Sequence, residues 1–113
     1  MLTIGQQSKV LYMAGKMAAE ARIEKATCDY AKKAGWYVRK FKSPGQRAVP
    51  DRIMISPCGL VIFVEFKAPG KLPTALQSRE INIIRANKTR VHVVDNSDTG
   101  KALIDEYGKI KVL

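Results

Sequence analysis

The chain has 113 residues and 12.6 kDa, with 46% hydrophobic and 27% charged residues, which fits one ordinary globular domain and excludes a repeat array, a disordered tail or a multi-domain enzyme. Lys and Arg number 20 against 10 Asp and Glu, so the formal net charge is +10 and a polyanionic partner is expected. Two cysteines, Cys28 and Cys58, and one histidine, His92, exclude a disulfide framework and a Cys/His zinc cluster and agree with a reducing cytoplasm. No apolar run approaches the roughly 20 residues of a membrane span. The start, Met1 to Gln7, lacks the basic and apolar regions of a signal peptide, so no membrane association or export is expected.

In chain order, Ile23, Ala26, Thr27, Tyr30 and Ala34 recur at helical spacing between Met17 and Ala34, and Gly35 is a stop, which predicts an amphipathic helix carrying Glu20 and Glu24. The preceding stretch, with Val10, Leu11, Tyr12, Met13 and Met17, reads either as a dimerisation arm or as a frayed extension of that helix. Trp36 to Phe41 alternates aromatic or β-branched residues with basic ones and predicts a half-buried strand. Ser43 to Arg47 is a loop. The apolar runs Arg52–Ile55 and Leu60–Val64, joined by Ser56-Pro57-Cys58-Gly59, predict a hairpin of inner strands covered by helices. Ala68-Pro69-Gly70 breaks the second run, and Pro73-Thr74 opens a helix through Leu76, Ile81, Ile83 and Ile84 to about Asn87. Val91 to Val94 is a further buried strand, and His92 within it has no partner histidine and reads as structural. Asp98 and Thr99 can cap a last helix through Ala102, Leu103 and Ile104 to Gly108, before an edge segment, Ile110 to Val112. The whole is a single α/β domain, residues 1–113, with a mixed sheet.

Charged residues that interrupt buried strands need a reason, and Asp51, Glu65 and Lys67 do so here. A hairpin turning about Cys58 sets Ile55 opposite Val61, Ile53 opposite Phe63 and Asp51 opposite Glu65, with facing side chains roughly 5 Å apart at Cβ. Strand alternation places Lys67 on the face of Glu65. Facing carboxylates repel unless a proton or cation lies between them, and such oxygen ligands suit Mg²⁺. Beside them an ammonium can offset charge on a phosphate under attack, which describes phosphodiester hydrolysis. A plain salt-bridge cluster at a strand end is the alternative. From Lys32 to Arg52 the basic residues Lys32, Lys33, Arg39, Lys40, Lys42, Arg47 and Arg52 meet only one acid, Asp51, so a non-catalytic nucleic-acid-binding module is a second reading.

Pro50-Asp51, then Glu65-Phe66-Lys67 after an apolar strand, within this order of elements, resembles the PD-(D/E)XK nucleases. Ser43-Pro44-Gly45-Gln46-Arg47-Ala48-Val49-Pro50-Asp51-Arg52, Val64 to Leu72, and Gln77 four residues after Pro73 together resemble the virus-type replication-repair nuclease domain, VRR-NUC, over about Glu20 to Val94. The resemblance implies a restriction-endonuclease-like αβββαβ core and an Mg²⁺- or Mn²⁺-dependent endodeoxyribonuclease. Asp51, Glu65 and the backbone carbonyl of Phe66 would then hold the metal, Lys67 would be the catalytic lysine, and Gln77 a further active-site residue. Glu20, with Glu24 as the alternative, would add an acid from the first helix. Lys42, Arg47, Arg52 and Lys71 are the expected DNA contacts. Stand-alone members of this size resemble bacteriophage-encoded homodimers that cut branched DNA such as Holliday junctions, which implies action in the cytoplasm of a bacterial host. A nickase or restriction-like enzyme with another DNA preference is the rival within the enzyme class.

Overall fold

The computed structural model describes residues Met1–Lys111. Its elements are α1 (Ile4–Lys33), β1 (Tyr37–Lys40), β2 (Arg52–Ile55), β3 (Val61–Phe66), α2 (Ala75–Ala86), β4 (Arg90–Val94) and α3 (Ser97–Gly108). The four strands form one sheet in the order β1-β2-β3-β4, with the first two pairs antiparallel and β3 parallel to β4. This is the expected mixed α/β domain. The expected hairpin register also holds, with Ile55 paired to Val61 and Ile53 to Phe63. The turn explains why: the buried Ser56 Oγ accepts from the backbone N–H of Leu60 at 3.0 Å and of Cys58 at 3.3 Å, and Gly59 supplies the positive φ of 89°.

Alternation divides the sheet into two unlike faces. Val38, Met54, Ile62, Val64, Phe66 and Val94 point to one face and are fully or almost fully buried against Ile23, Cys28 and Ala31 of α1 and Ile104 of α3. Each such side chain contributes about 1.5–3 kcal/mol of burial. On the other face α2 packs over β4, where Ile81 and Val91 are buried, while Ile53, Ile55, Val61 and Phe63 are only partly buried. Cover on both faces of the inner strands is therefore only partial. Against the expectation of an inner strand, β4 lies at the sheet edge.

Three further boundaries differ from the sequence reading. α1 begins at Ile4 rather than near Met17, because Thr3 and Gln6 form a capping box: the Thr3 hydroxyl accepts from Gln6 N–H, and the Gln6 carboxamide accepts from Thr3 N–H at 2.9 Å. The arm is regular helix, not a frayed end. Asn96, not Asp98 or Thr99, caps α3, its side chain accepting from Thr99 N–H at 2.8 Å. Ile110 and Lys111 form no strand, and Val112 lies outside the described residues. α3 is held close to α1 at Gly100, where a Cβ would collide with the buried Thr27 hydroxyl. Among the described residues no helix is long and apolar enough to cross a membrane.

Candidate active site at the end of the central strands

β3 ends in Glu65 and Phe66, and Lys67 follows, so the last two pleats of the central strand carry a carboxylate and an ammonium into the gap between the helices. Both are buried, and Lys67 Nζ lies 3.6 Å from Glu65 Oε2. Asp51, immediately before β2, is anchored to the same strand because its Oδ2 accepts from Phe66 N–H at 2.8 Å. Phe41 N–H in turn donates to the Asp51 carbonyl at 2.9 Å, which ties the end of β1 to the site.

On α2, Thr74 and Gln77 form a second capping box. The Thr74 hydroxyl accepts from Gln77 N–H, and Gln77 Oε1 accepts from Thr74 N–H at 2.9 Å. That fixes the carboxamide with its amino group outward, and Nε2 donates to Glu65 Oε2 at 2.8 Å. The T-x-x-Q pattern was a local signal for this orientation, independent of any family.

The first helix presents Glu20 and Glu24 one turn apart. Glu24 is engaged, because its Oε2 accepts from Arg52 Nε at 2.7 Å. Among the described residues Glu20 makes no such ion pair, and it lies within electrostatic reach of Lys67, Asp51 and Lys71. Partial burial, together with the Asp51 charge, raises its pKa against the pull of the lysines. Of the two acids, Glu24 is therefore held by Arg52 and Glu20 is not.

The two central acids perturb each other. Burial first, then the Asp51 charge, pushes the Glu65 carboxyl up to about 7, against Lys67. Burial also raises Asp51, opposed by the Phe66 N–H, with the Glu24 charge adding to the rise. Moreover, Glu65 Oε1 is buried with no hydrogen-bond partner among the described residues. A carboxylate oxygen left bare beside a second acid is a poor terminus for a salt-bridge cluster and a good ligand position for a cation. Among the described residues no group of three or more His, Cys, Asp or Glu side chains forms a metal cage. Two carboxylates completed by a backbone oxygen and water are nevertheless what Mg²⁺ accepts, so the donor set fits that ion.

A curated relative, “Putative nuclease p44” of Acyrthosiphon pisum secondary endosymbiont phage 1, is 42% identical over 88 residues, which cover 78% of this chain and 95% of the relative. A solved structure described as “VRR_NUC domain” superposes with a TM-score of 0.73 at 31% identity, covering 79% of this chain and 97% of that one. The chain belongs to the VRR-NUC nuclease family. A second solved structure, “VRR_NUC domain protein”, has a TM-score of 0.67 at 17% identity, with 78% and 86% coverage, and supports the fold alone. No family model matches the chain.

In this VRR-NUC domain the expected basic contacts fall into two groups. Lys71 lies within electrostatic reach of Glu20, and Lys42, Arg47 and Lys71 are exposed. Arg52 is not: its side chain is 16% exposed and braces β2 against α1 through Glu24. Among the described residues Glu24 and Arg52 form the one ion pair between a helix and a strand, and nothing in their local spacing announced it. His92 Nε2 lies 2.6 Å from the Tyr107 hydroxyl and its pKa is lowered by burial and by Arg85 and Arg90, a packed residue away from the acids.

Proposed function

We propose that this VRR-NUC domain is a metal-dependent endonuclease that hydrolyses phosphodiester bonds of DNA, selects branched DNA such as a Holliday junction, and works as a homodimer. The observation that carries the reading is the Asp51–Glu65 pair, with its raised pKa values and the bare Glu65 Oε1. Asp51, Glu65 and the Phe66 carbonyl would hold Mg²⁺ or Mn²⁺, which supplies Lewis acidity at a phosphate oxygen and eases deprotonation of the attacking water. Lys67 Nζ offsets negative charge on the phosphate as water oxygen bonds to phosphorus and the ester P–O bond breaks. Gln77 holds the Glu65 carboxylate in orientation, and Glu20 supplies a third acid from α1.

Lys42, Arg47 and Lys71 are assigned to the DNA backbone; Arg52 joins that surface only as the brace behind Asp51. Separating a four-way junction into two duplexes needs cuts related by near two-fold symmetry, which a two-fold protein matches. Val10, Met13, Ala14, Met17 and Ala21 make an apolar stripe at helical spacing along the arm, and Val10 and Met17 are more than half exposed, which supports this stripe as the dimer contact. The phage origin of the curated relative supports action in the cytoplasm of a bacterial host.

Linear, forked, flapped and four-way substrates incubated with Mg²⁺, Mn²⁺ or EDTA test the reading, with light scattering at micromolar concentration for assembly. Cleavage of the four-way substrate by a dimer, abolished by EDTA, is expected. Binding without cleavage of any substrate would reduce the domain to a basic nucleic-acid-binding module.

A further inference from the structure

On the side of α1 away from the apolar stripe, Leu11, Tyr12, Gly15, Lys16 and Ala19 meet Ala68 and Pro69 across a groove of about 310 Å³. Two of its lining residues adjoin the site in the chain, because Ala19 precedes Glu20 and Ala68 follows Lys67. Gly15, Ala19 and Ala68 are small, which leaves the Tyr12 ring accessible from the groove; the residue is 60% exposed. Lys16 Nζ stands 4.7 Å from the centre of that ring. Lys9 lies two turns earlier on the face of Lys16, and no acidic residue occurs between Ile4 and Ala19.

We propose that this groove binds an unpaired DNA strand adjacent to the scissile phosphate. An accessible aromatic ring with an ammonium beside it offers a base both stacking and charge, and Lys9, two turns from Lys16, adds a second cation for the phosphates. The long acid-free arm is complementary to a polyanion, which favours a nucleic-acid strand over a second copy of this +10 chain as the occupant. A paired base could not reach the ring without leaving its stack, so the groove favours strands already open, as at the branch of a junction. The inference rests on the nuclease reading for the direction of the strand and supplies its selectivity for branched DNA.

Fluorescence anisotropy of a labelled oligo-dT strand, read on the full chain in EDTA, tests the groove. Tyr12→Ala and Lys16→Ala should each weaken binding about fivefold or more relative to Lys109→Ala, which removes the same charge far from the groove, while Tyr12→Phe keeps the affinity. A photo-crosslink from an iodouracil base should map to Tyr12. Equal affinities of the three alanine variants overturn the proposal, as does a loss shared by Lys109→Ala. Unchanged oligonucleotide binding with altered assembly of Tyr12→Ala would assign the groove to protein instead, and overturns it too. Because the readout needs no cleavage, a chain inactive on every substrate still reports on the groove.

Discussion

Phe66 donates its backbone N–H to Asp51 Oδ2 at 2.8 Å, so the residue between Glu65 and Lys67 clamps the acid that faces them. The hairpin register therefore acts twice. It brings Asp51 level with Glu65, and it supplies the donor that holds the Asp51 carboxylate in one orientation. A slip of one residue would turn Glu65 and Lys67 to the opposite face and leave Asp51 without this partner.

Asp51→Asn, Glu65→Gln and Lys67→Ala should each lower cleavage by about a hundredfold or more, since each removes a charge the reaction uses. DNA affinity measured in EDTA should survive in all three, because the phosphate contacts are assigned to Lys42, Arg47 and Lys71. Metal-dependent cleavage persisting in two of these variants would refute the site.

Gln77 serves two ends at once, and its variants separate them. Thr74→Ala removes the hydroxyl half of the cap and should cost about 1 kcal/mol in urea unfolding with a small effect on cleavage. Gln77→Ala also frees Glu65 Oε2 and should weaken Mn²⁺ binding and cleavage about 10- to 100-fold. Equal effects of the two variants on Mn²⁺ affinity would mean that only the helix cap matters.

The hairpin and its acid pair were legible in the sequence because period-two patterning and the turn residues act locally. The difference between Glu20 and Glu24 was not, since it comes from Arg52, 28 residues further along the chain, which draws Glu24 into an ion pair. The N-terminal extent of α1 was read only as one of two alternatives, a frayed extension of the helix, and the local sign that places its start at Ile4 is the capping box at Thr3 and Gln6. The edge position of β4 follows from Ile110 and Lys111 not pairing, a tertiary outcome that an apolar segment alone cannot foretell.

Metal-free stability should fall as pH rises from about 4.5 to about 7. The folded chain keeps the Glu65 proton over that window whereas the unfolded chain has released it, so the folded state is favoured at the acid end and loses up to about 3 kcal/mol by pH 8. Glu65→Gln cannot lose a proton and should be more stable than wild type at pH 8 in EDTA, with the difference shrinking toward pH 5. Mg²⁺ should narrow the gap at pH 8 by binding the ionised pair. Urea unfolding at both pH values reads the sign directly, and equal stability of the two proteins at pH 8 would contradict the burial effect at Glu65.

Gly100→Ala tests the α1–α3 contact that holds the first helix in place. On helix propensity alone the change should stabilise α3 by about 1 kcal/mol. The added Cβ, however, would strike Thr27 Oγ1 and stand 3.0 Å from its Cγ2, in a region where Thr27 is fully buried. Overpacking of this kind costs about 1–3 kcal/mol, so the expected net effect is destabilising. Thr27→Ala in the same chain, which removes both Oγ1 and Cγ2, should recover part of the loss, and a Gly100→Ala chain more stable than wild type would show that the helices separate freely.

The basic loop and the Arg52 brace should separate in salt. Lys42 and Arg47 are exposed, so replacing both with alanine should weaken binding to duplexes of any sequence and flatten the dependence of log K on log salt by about 0.9 per lost phosphate contact. Arg52 is held by Glu24 at 2.7 Å and is mostly covered, so Arg52→Ala leaves Glu24 unpaired beside Asp51. Its expected signature is a loss of stability and of cleavage with the salt slope kept, because no phosphate contact is removed. Adding Glu24→Gln to Arg52→Ala should restore part of the stability by deleting the orphaned charge. A salt slope that falls by the same amount in Arg52→Ala as in the loop variant would return Arg52 to the DNA surface.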